Sequence, residues 1–453
     1  MKTLPKRLAI TAIILLLGLA GMYAVTAYQQ QALLNPVMVF PSENSLGAQG
    51  PVVLEFPAEM EQASVEGHLQ ILPETPGWIS WEGKTLSFFP NTPWQPGEDI
   101  QVNLLPGSVT ASGEVISRKN RWRAPIRQAA VIYLHPSGSP AQIWISDPAG
   151  KDQRALSAQA GGVFDFGVSP DGSKVVYSAG NGDGGYDLWI MSRSGENPRK
   201  VLDCGAEWCV EPAISPDGWQ LAYSRYPGPS EAGNPEVGGQ IMVLDLDTTR
   251  GEANVENQAR VGRKPGWSPD GLYLNYYDPA GGGIRLVDRE TGGETLLSSI
   301  MGESGDWSLD GKHLIYLIPH LVGLPSSNQL ASADLLERKI EGIMLESGVQ
   351  LEFDSPALSP DGDWIAISRR LTGGNFSGQI WIYSTKGFDP VAVADDATRH
   401  FAVPGWNPAG KSLVYQGTIS GSSSAKPQVL VWDAQTGESS LVSEDAFLPG
   451  WLP

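Results

Sequence analysis

The residues of this 453-residue chain best placed to do chemistry are polar side chains that recur at one position of a repeated phrase. Asp165, Glu211, Lys264, Ser304 and Ser355 each stand four residues before a Ser, and Asp306 stands two before one. Carboxylates and a lysine brought to one place could grip a charged ligand, or could divide general acid and base work between them. Contiguous catalytic signatures are missing. There is no Gly-x-Ser-x-Gly elbow and no His-Glu-x-x-His, and His68, His135, His313, His320 and His400 are scattered. The expectation is a ligand-binding set, with no catalytic residue, no cofactor and no metal.

Three other signals carry less. The stretch Gly405-Trp406-Asn407-Pro408-Ala409-Gly410-Lys411-Ser412 matches the phosphate-loop pattern, but an alternating strand follows it where that motif needs a helix. Asn181-Gly182-Asp183-Gly184-Gly185-Tyr186-Asp187 offers oxygen ligands for Ca²⁺ yet lacks the spaced terminal Glu, so it reads as a hairpin. Cys204 and Cys209 are the only cysteines. In an exported chain they read as a disulfide closing a small ring.

The elements that must position these residues follow from the phrase itself. Ser169-Pro170-Asp171-Gly172 returns as Ser215-Pro216-Asp217-Gly218, Ser268-Pro269-Asp270-Gly271, Ser308-Leu309-Asp310-Gly311, Ser359-Pro360-Asp361-Gly362 and Asn407-Pro408-Ala409-Gly410, at spacings of 40 to 53 residues. Pro sets the first corner of a tight turn, Asp bonds the backbone two residues on, and Gly takes the positive φ. An alternating strand follows each turn, as in Lys174-Val175-Val176-Tyr177-Ser178, and a second apolar strand comes later, as in Gln379-Ile380-Trp381-Ile382-Tyr383. This is the period of a four-stranded propeller blade.

The chain ends supply one more blade. Phe447-Leu448-Pro449-Gly450-Trp451-Leu452-Pro453 copies the stretch from Phe401 to Pro408, while residues 129–133 and 141–146 look like the second and third strands of the same unit. Residues 128–453 therefore read as a seven-bladed β-propeller closed by strands from both ends, which removes exposed sheet edges. Within the first strands a small row (Gly167, Ala213, Gly266, Asp306, Ala357, Gly405, Gly450) alternates with a large one (Val168, Ile214, Trp267, Trp307, Leu358, Trp406, Trp451). The small row should face the crowded axis. Asp165, Glu211, Lys264, Ser304, Ser355, Val403 and Leu448 should then ring one channel mouth, with Asp306 deeper.

The Ser-Pro-Asp-Gly phrase, the strand ending in Tyr-Ser and the Ile-Trp-Ile strand resemble the TolB-type, WD40-like Pro-Asp propeller repeat across residues 128–453. That resemblance implies docking of proteins or other ligands, and propellers of this type also sit beside hydrolase domains in certain peptidases. Upstream, residues 36–127 hold short strands between Pro and Gly turns, including Trp81-Glu82-Gly83-Lys84-Thr85-Leu86-Ser87-Phe88-Phe89-Pro90 before Pro96-Gly97. They resemble the bacterial Ig-like β-sandwich of SbsA type found in surface-layer and envelope proteins.

Residues 1–30 set the compartment. Lys2, Lys6 and Arg7 precede an uncharged apolar run over 8–28, long enough as a helix to span a bilayer and oriented to send the rest of the chain outward. The expectation is a single-pass anchor in a bacterial cell membrane with the bulk extracytoplasmic, or a secreted protein if Val25-Thr26-Ala27 is a cleavage site. A formal net charge of −19 argues against a nucleic-acid partner.

Taken together, these features point to a monomeric, all-β, membrane-tethered binding or scaffold protein rather than an enzyme, recognising an envelope protein or polymer through its propeller. One alternative is a propeller enzyme, a glycan lyase or hydrolase or a peptidase-associated module, with carboxylates at the channel mouth. Another is a structural envelope or surface-layer component.

Overall fold

The computed structural model describes residues 34–40, 44–228, 239–246, 252–253, 260–299, 302–319, 328–343, 351–371, 377–387, 390–421 and 424–453. The anchor expected over residues 1–30 lies outside them. Among the described residues no helix is long and apolar enough to cross a membrane. Among the described residues the helix Gln62–Glu66 has five residues, and the rest of the regular structure is strand.

The chain divides into two compact units, and the second takes Leu46–Gly50 and Asn91–Gly97 as well as Ile126–Pro453. The first unit holds two antiparallel sheets. One orders its strands Val37–Val39, Val52–Glu55, Thr85–Pro90 and Gly77–Glu82, and the other Leu69–Leu72, Asp99–Leu104 and Asn120–Pro125. Alternation sets what is inside: Val52, Leu54, Leu86, Val102 and Leu104 are fully buried, whereas Arg121 and Arg123 point to solvent.

In the second unit successive strands pair as four-stranded antiparallel meanders. The first sheet combines Phe447–Leu452 with Ala130–His135, Gln142–Ser146 and Arg154–Ala155, so strands from the two ends of the Ile126–Pro453 segment share a ladder. The second runs Val163–Val168, Lys174–Gly180, Tyr186–Ser192, Arg199–Leu202. The third runs Trp208–Ile214, Gln220–Tyr226, Gly239–Asp245, Glu252–Ala253. The fourth runs Val261–Trp267, Tyr273–Asp278, Gly283–Asp288, Glu294–Ser298. The fifth begins with only Asp306–Trp307 before His313–Pro319, Asn328–Asp334 and Lys339–Ile343. Sheets that open with Leu351–Leu358 and Arg399–Trp406 follow the same plan.

Apolar layers fill the spaces between neighbouring sheets. Val175, Tyr177 and Met191 pack with Ile132 and Ile143, Tyr223 and Met242 with Leu188 and Ile190, and Leu274 and Tyr276 with Ala222 and Val243. The series ends where it began: Val414, Val429 and Val431 pack with Val131, Tyr133 and Trp451. The large row wedges between sheets and bonds the neighbour, since the indole N–H groups of Trp267, Trp406 and Trp451 donate to the carbonyls of Ala213 (3.0 Å), Ala357 (3.1 Å) and Gly405 (2.9 Å). This is the packing of a β-propeller.

The repeated phrase works through its serine as much as through its turn. Gly218 and Gly271, at φ +77° and +73°, donate their N–H to Ser215 and Ser268 O at 2.9 Å, closing the turns. Ser215 and Ser268 Oγ donate to Asp217 and Asp270 Oδ1 at 2.5 Å and accept from Gln220 and Tyr273 N–H at 2.9 and 2.8 Å. These serines are almost fully buried. The hydroxyl thus ties the turn to the strand that leaves it.

Candidate functional site

A recurrent β-bulge shapes the first strand of the sheets. Ladder register slips between Val210 and Ala213, Arg263 and Gly266, Asp354 and Ala357, Ala402 and Gly405, and Phe447 and Gly450. At each slip the residue four before the turn takes a left-handed conformation: Glu211 (φ +58°), Lys264 (+49°), Ser355 (+50°), Val403 (+53°) and Leu448 (+50°). The second sheet differs, because its slip falls between Val163 and Asp165 and leaves Phe164 as the extra residue. Bulges re-aim side chains, and here they fix where the row points.

The structure brings Asp165, Glu211 and Lys264 into one chain of contacts. Asp165 Oδ1 accepts from the Ser178 hydroxyl, and its Oδ2 accepts from the Glu211 N–H at 2.6 Å. Glu211 repeats the arrangement one sheet on. Its Oε2 accepts from Ser224 Oγ and from the Lys264 N–H, both at 2.7 Å, while Oε1 faces Arg263 Nη2 at 3.5 Å. Lys264 Nζ ends the series on Glu303 Oε1 at 2.5 Å. Each carboxylate therefore holds the left-handed backbone of the next sheet.

The remaining members of the row do not join that chain. Ser304 lends its carbonyl to Asn275 Nδ2 (2.8 Å), and Ser355 Oγ donates to Asp354 Oδ1 (3.2 Å). Asp306 braces the next sheet: Oδ2 accepts from the Leu358 N–H at 2.7 Å and Oδ1 from the Trp307 N–H at 3.1 Å. Gln416 Oε1 likewise accepts from the Leu448 N–H at 3.1 Å. Sequence reasoning did not find Arg263, Glu303, Asn275 and Gln416, nor the roles of Ser178 and Ser224; the strand ending Tyr-Ser was their only signal.

Electrostatics single out two acids. Burial pushes the Asp165 carboxyl up to about 7, with its two hydrogen bonds opposing and the Glu211 charge adding to the rise. Burial lifts Asp306 to about 6 against the pull of the Leu358 and Trp307 N–H groups. A carboxyl that titrates near neutrality can hold or release a proton under working conditions. Beside Asp165 three rings meet: Phe164 and Tyr186 at 5.1 Å, Tyr186 and Trp208 at 4.7 Å, Phe164 and Trp208 at 5.4 Å between centroids. The Cys204–Cys209 disulfide closes the loop that carries Trp208.

No protein-family model matches the chain. Over 218 residues, 46% of this chain, it is 25% identical to a Bacillus subtilis protein described as the uncharacterized peptidase YuxL, and it spans only 30% of that curated relative. Among solved structures it is similar to TolB from Acinetobacter baumannii, with 13% identity, 85% of this chain and 83% of that one covered, and a TM-score of 0.43. A puromycin-hydrolyzing peptidase of Mycobacterium tuberculosis gives 13% identity, 86% and 56% coverage and a TM-score of 0.49. The structural likenesses concern the fold alone.

The sequence relative corrects one expectation. A chain without contiguous catalytic motifs reads as a non-enzyme, yet the curated protein it matches is named a peptidase. The physical reason is that side chains from separate sheets can meet in space, as Asp165, Glu211 and Lys264 do here, so an absent local motif excludes nothing.

Proposed function

We propose that the chain serves a peptidase reaction, with its propeller receiving the substrate peptide at a channel mouth built from Asp165, Glu211 and Lys264. The observation that carries this reading is the 218-residue similarity to the peptidase relative. The mouth supports it, because the linked charges of both signs at Asp165, Glu211, Arg263, Lys264 and Glu303 suit the amides and terminal charges of a peptide. Ser304, Ser355 and Asp306 belong to the same lumen on this reading. The chain would act as one copy, without a nucleic-acid partner.

The architecture is read to match. The four-stranded sheets form a closed seven-bladed ring, supported by the shared ladder of Phe447–Leu452 with Ala130–His135 and by the apolar layer around Trp451. The first unit is an Ig-like module, supported by its two small antiparallel sheets. Residues 1–30 anchor the chain to a bacterial membrane with the propeller outside, supported by Lys2, Lys6 and Arg7 ahead of the apolar run. Peptides or envelope proteins presented there are the expected ligands.

The test uses the full chain against panels of fluorogenic peptides and acidic oligosaccharides, with calorimetric binding to the same peptides. Peptide turnover or saturable binding is expected, weakened about tenfold or more when Asp165→Asn and Glu211→Gln are combined. Failure to bind or cleave any peptide would refute the reading. Turnover of the oligosaccharides alone would replace it with a glycan-cleaving one.

A further inference from the structure

The cations described around the mouth between the second and fourth sheets are each matched to a carboxylate. Arg225 meets Glu207 at 2.6 Å, Arg263 meets Glu211 at 3.5 Å and Lys264 meets Glu303 at 2.5 Å. Asp165 is left over. Its oxygens accept from the Ser178 hydroxyl and the Glu211 N–H, two uncharged donors, and among the described residues no cation pairs with it. A carboxylate has room for further donors beyond two.

The rings next to it are held in place, Phe164 exposed and Tyr186 and Trp208 half-buried. The slip at Phe164 interrupts the in-out alternation of its strand, and the ring is 40% exposed. Trp208 Nε1 donates to Gly184 O at 3.2 Å and the Tyr186 N–H to Glu207 O at 3.1 Å. Asn181 Nδ2 joins the two loops beneath, reaching Asp187 Oδ1 at 2.8 Å and Gly205 O at 2.7 Å, and the Cys204–Cys209 disulfide locks the second of them. The Asp165 charge also reaches Tyr186, adding to the rise that burial gives its hydroxyl.

Ring faces and a carboxylate without a counter-ion attract the same kind of ligand, a cation, and both repel an anion. We propose that Phe164, Tyr186, Trp208 and Asp165 form a subsite for a primary ammonium group, supplied by the N-terminus of a peptide or by a lysine side chain. The subsite rests on the peptide-receiving reading above and gives it a direction. The charged end of the peptide lies over the second and third sheets.

The full chain is titrated calorimetrically with three alanine-rich hexapeptides: one with a free N-terminus, one acetylated and carrying a single lysine, and one acetylated with norleucine in place of the lysine. An ammonium-bearing peptide should bind about tenfold tighter than the neutral one, and whichever of the first two binds tighter names the source. The margin should fall below about threefold in Phe164→Leu and in Asp165→Asn. Equal affinities for charged and neutral peptides, or a margin unchanged in both variants, would overturn the subsite. Should no peptide bind, the peptide reading fails, and butylammonium against pentanol, followed by tryptophan fluorescence, still judges the subsite. Preference for butylammonium that is lost in Phe164→Leu supports it, and no preference overturns it.

Discussion

At the scale of single residues, five positions of the row before the turns (Glu211, Lys264, Ser355, Val403 and Leu448) are strained and held for geometry. Val403 shows the cost most plainly, because a β-branched residue at φ +53° and 40% exposed gains little from packing. Val403→Gly should therefore stabilise the fold by about 1 kcal/mol, measured as a shift in the urea midpoint; a loss would mean the bulge carries no strain there. Asp165 makes a second prediction, from proton linkage. Its carboxyl titrates at about 7 when folded against an ordinary value of 3.8, with Ser178, Glu211 and Tyr186 as the groups that face it. Between those values the folded chain keeps a proton the unfolded chain has lost, so stability falls as pH rises through this window and stays reduced above it. Asp306, raised to about 6, acts with the same sign. Thermal melts of wild type and Asp165→Asn at pH 4.5 and pH 8 should show the variant gaining on wild type at the higher pH. Parallel curves would remove Asp165 from the linkage.

At the scale of the element, the turn phrase is a small machine whose hub is the serine. Ser268 is fully buried and its hydroxyl serves Asp270 and the Tyr273 N–H together, so Ser268→Ala strands an acceptor and a donor and should cost about 1–3 kcal/mol. Chemical denaturation measures this, and a neutral effect would assign the turn to Pro269 and Gly271 alone. The Cys204–Cys209 link, closing a short loop, should contribute about 2 kcal/mol, read by comparing the Cys204→Ser, Cys209→Ser double variant with wild type. The elements that the amino-acid order made legible are those whose conformation demands a residue type: Gly218 and Gly271 at positive φ, Trp267 and Trp406 in an alternating strand. The site was legible only as a row. That Glu211 would spend an oxygen on the N–H of Lys264, 53 residues away, depends on two sheets standing side by side, and no local pattern encodes it. Phe164 could be read beside Asp165, but not that it is the extra residue of a bulge, since Val163-Phe164-Asp165 reads as regular alternation until the ladder is seen to slip.

At the scale of the whole second unit, each sheet buries its apolar faces only against its two neighbours, so the strand that joins the two ends of the Ile126–Pro453 segment should matter more than its length suggests. Among the described residues Phe447–Leu452 is the partner of Ala130–His135 on that edge, and it carries Trp451 and the fully buried Leu452 into the layers on either side. Removing residues 447–453 would leave a bare strand edge beside the exposed side chains of Val131, Tyr133, Val414 and Val429, the combination that invites intermolecular pairing. Trp451→Ala is the milder probe. It deletes a buried ring and its bond to Gly405 O while leaving the ladder intact, and should cost about 3–5 kcal/mol. The truncated chain is expected to lose its cooperative melt and to elute as aggregates in size exclusion, whereas Trp451→Ala should still melt in one step at a lower temperature. If the truncated chain kept the wild-type melt, the repeats would be standing as an open stack, each sheet stable on one neighbour, and the linked set Asp165, Glu211 and Lys264 would owe nothing to closure.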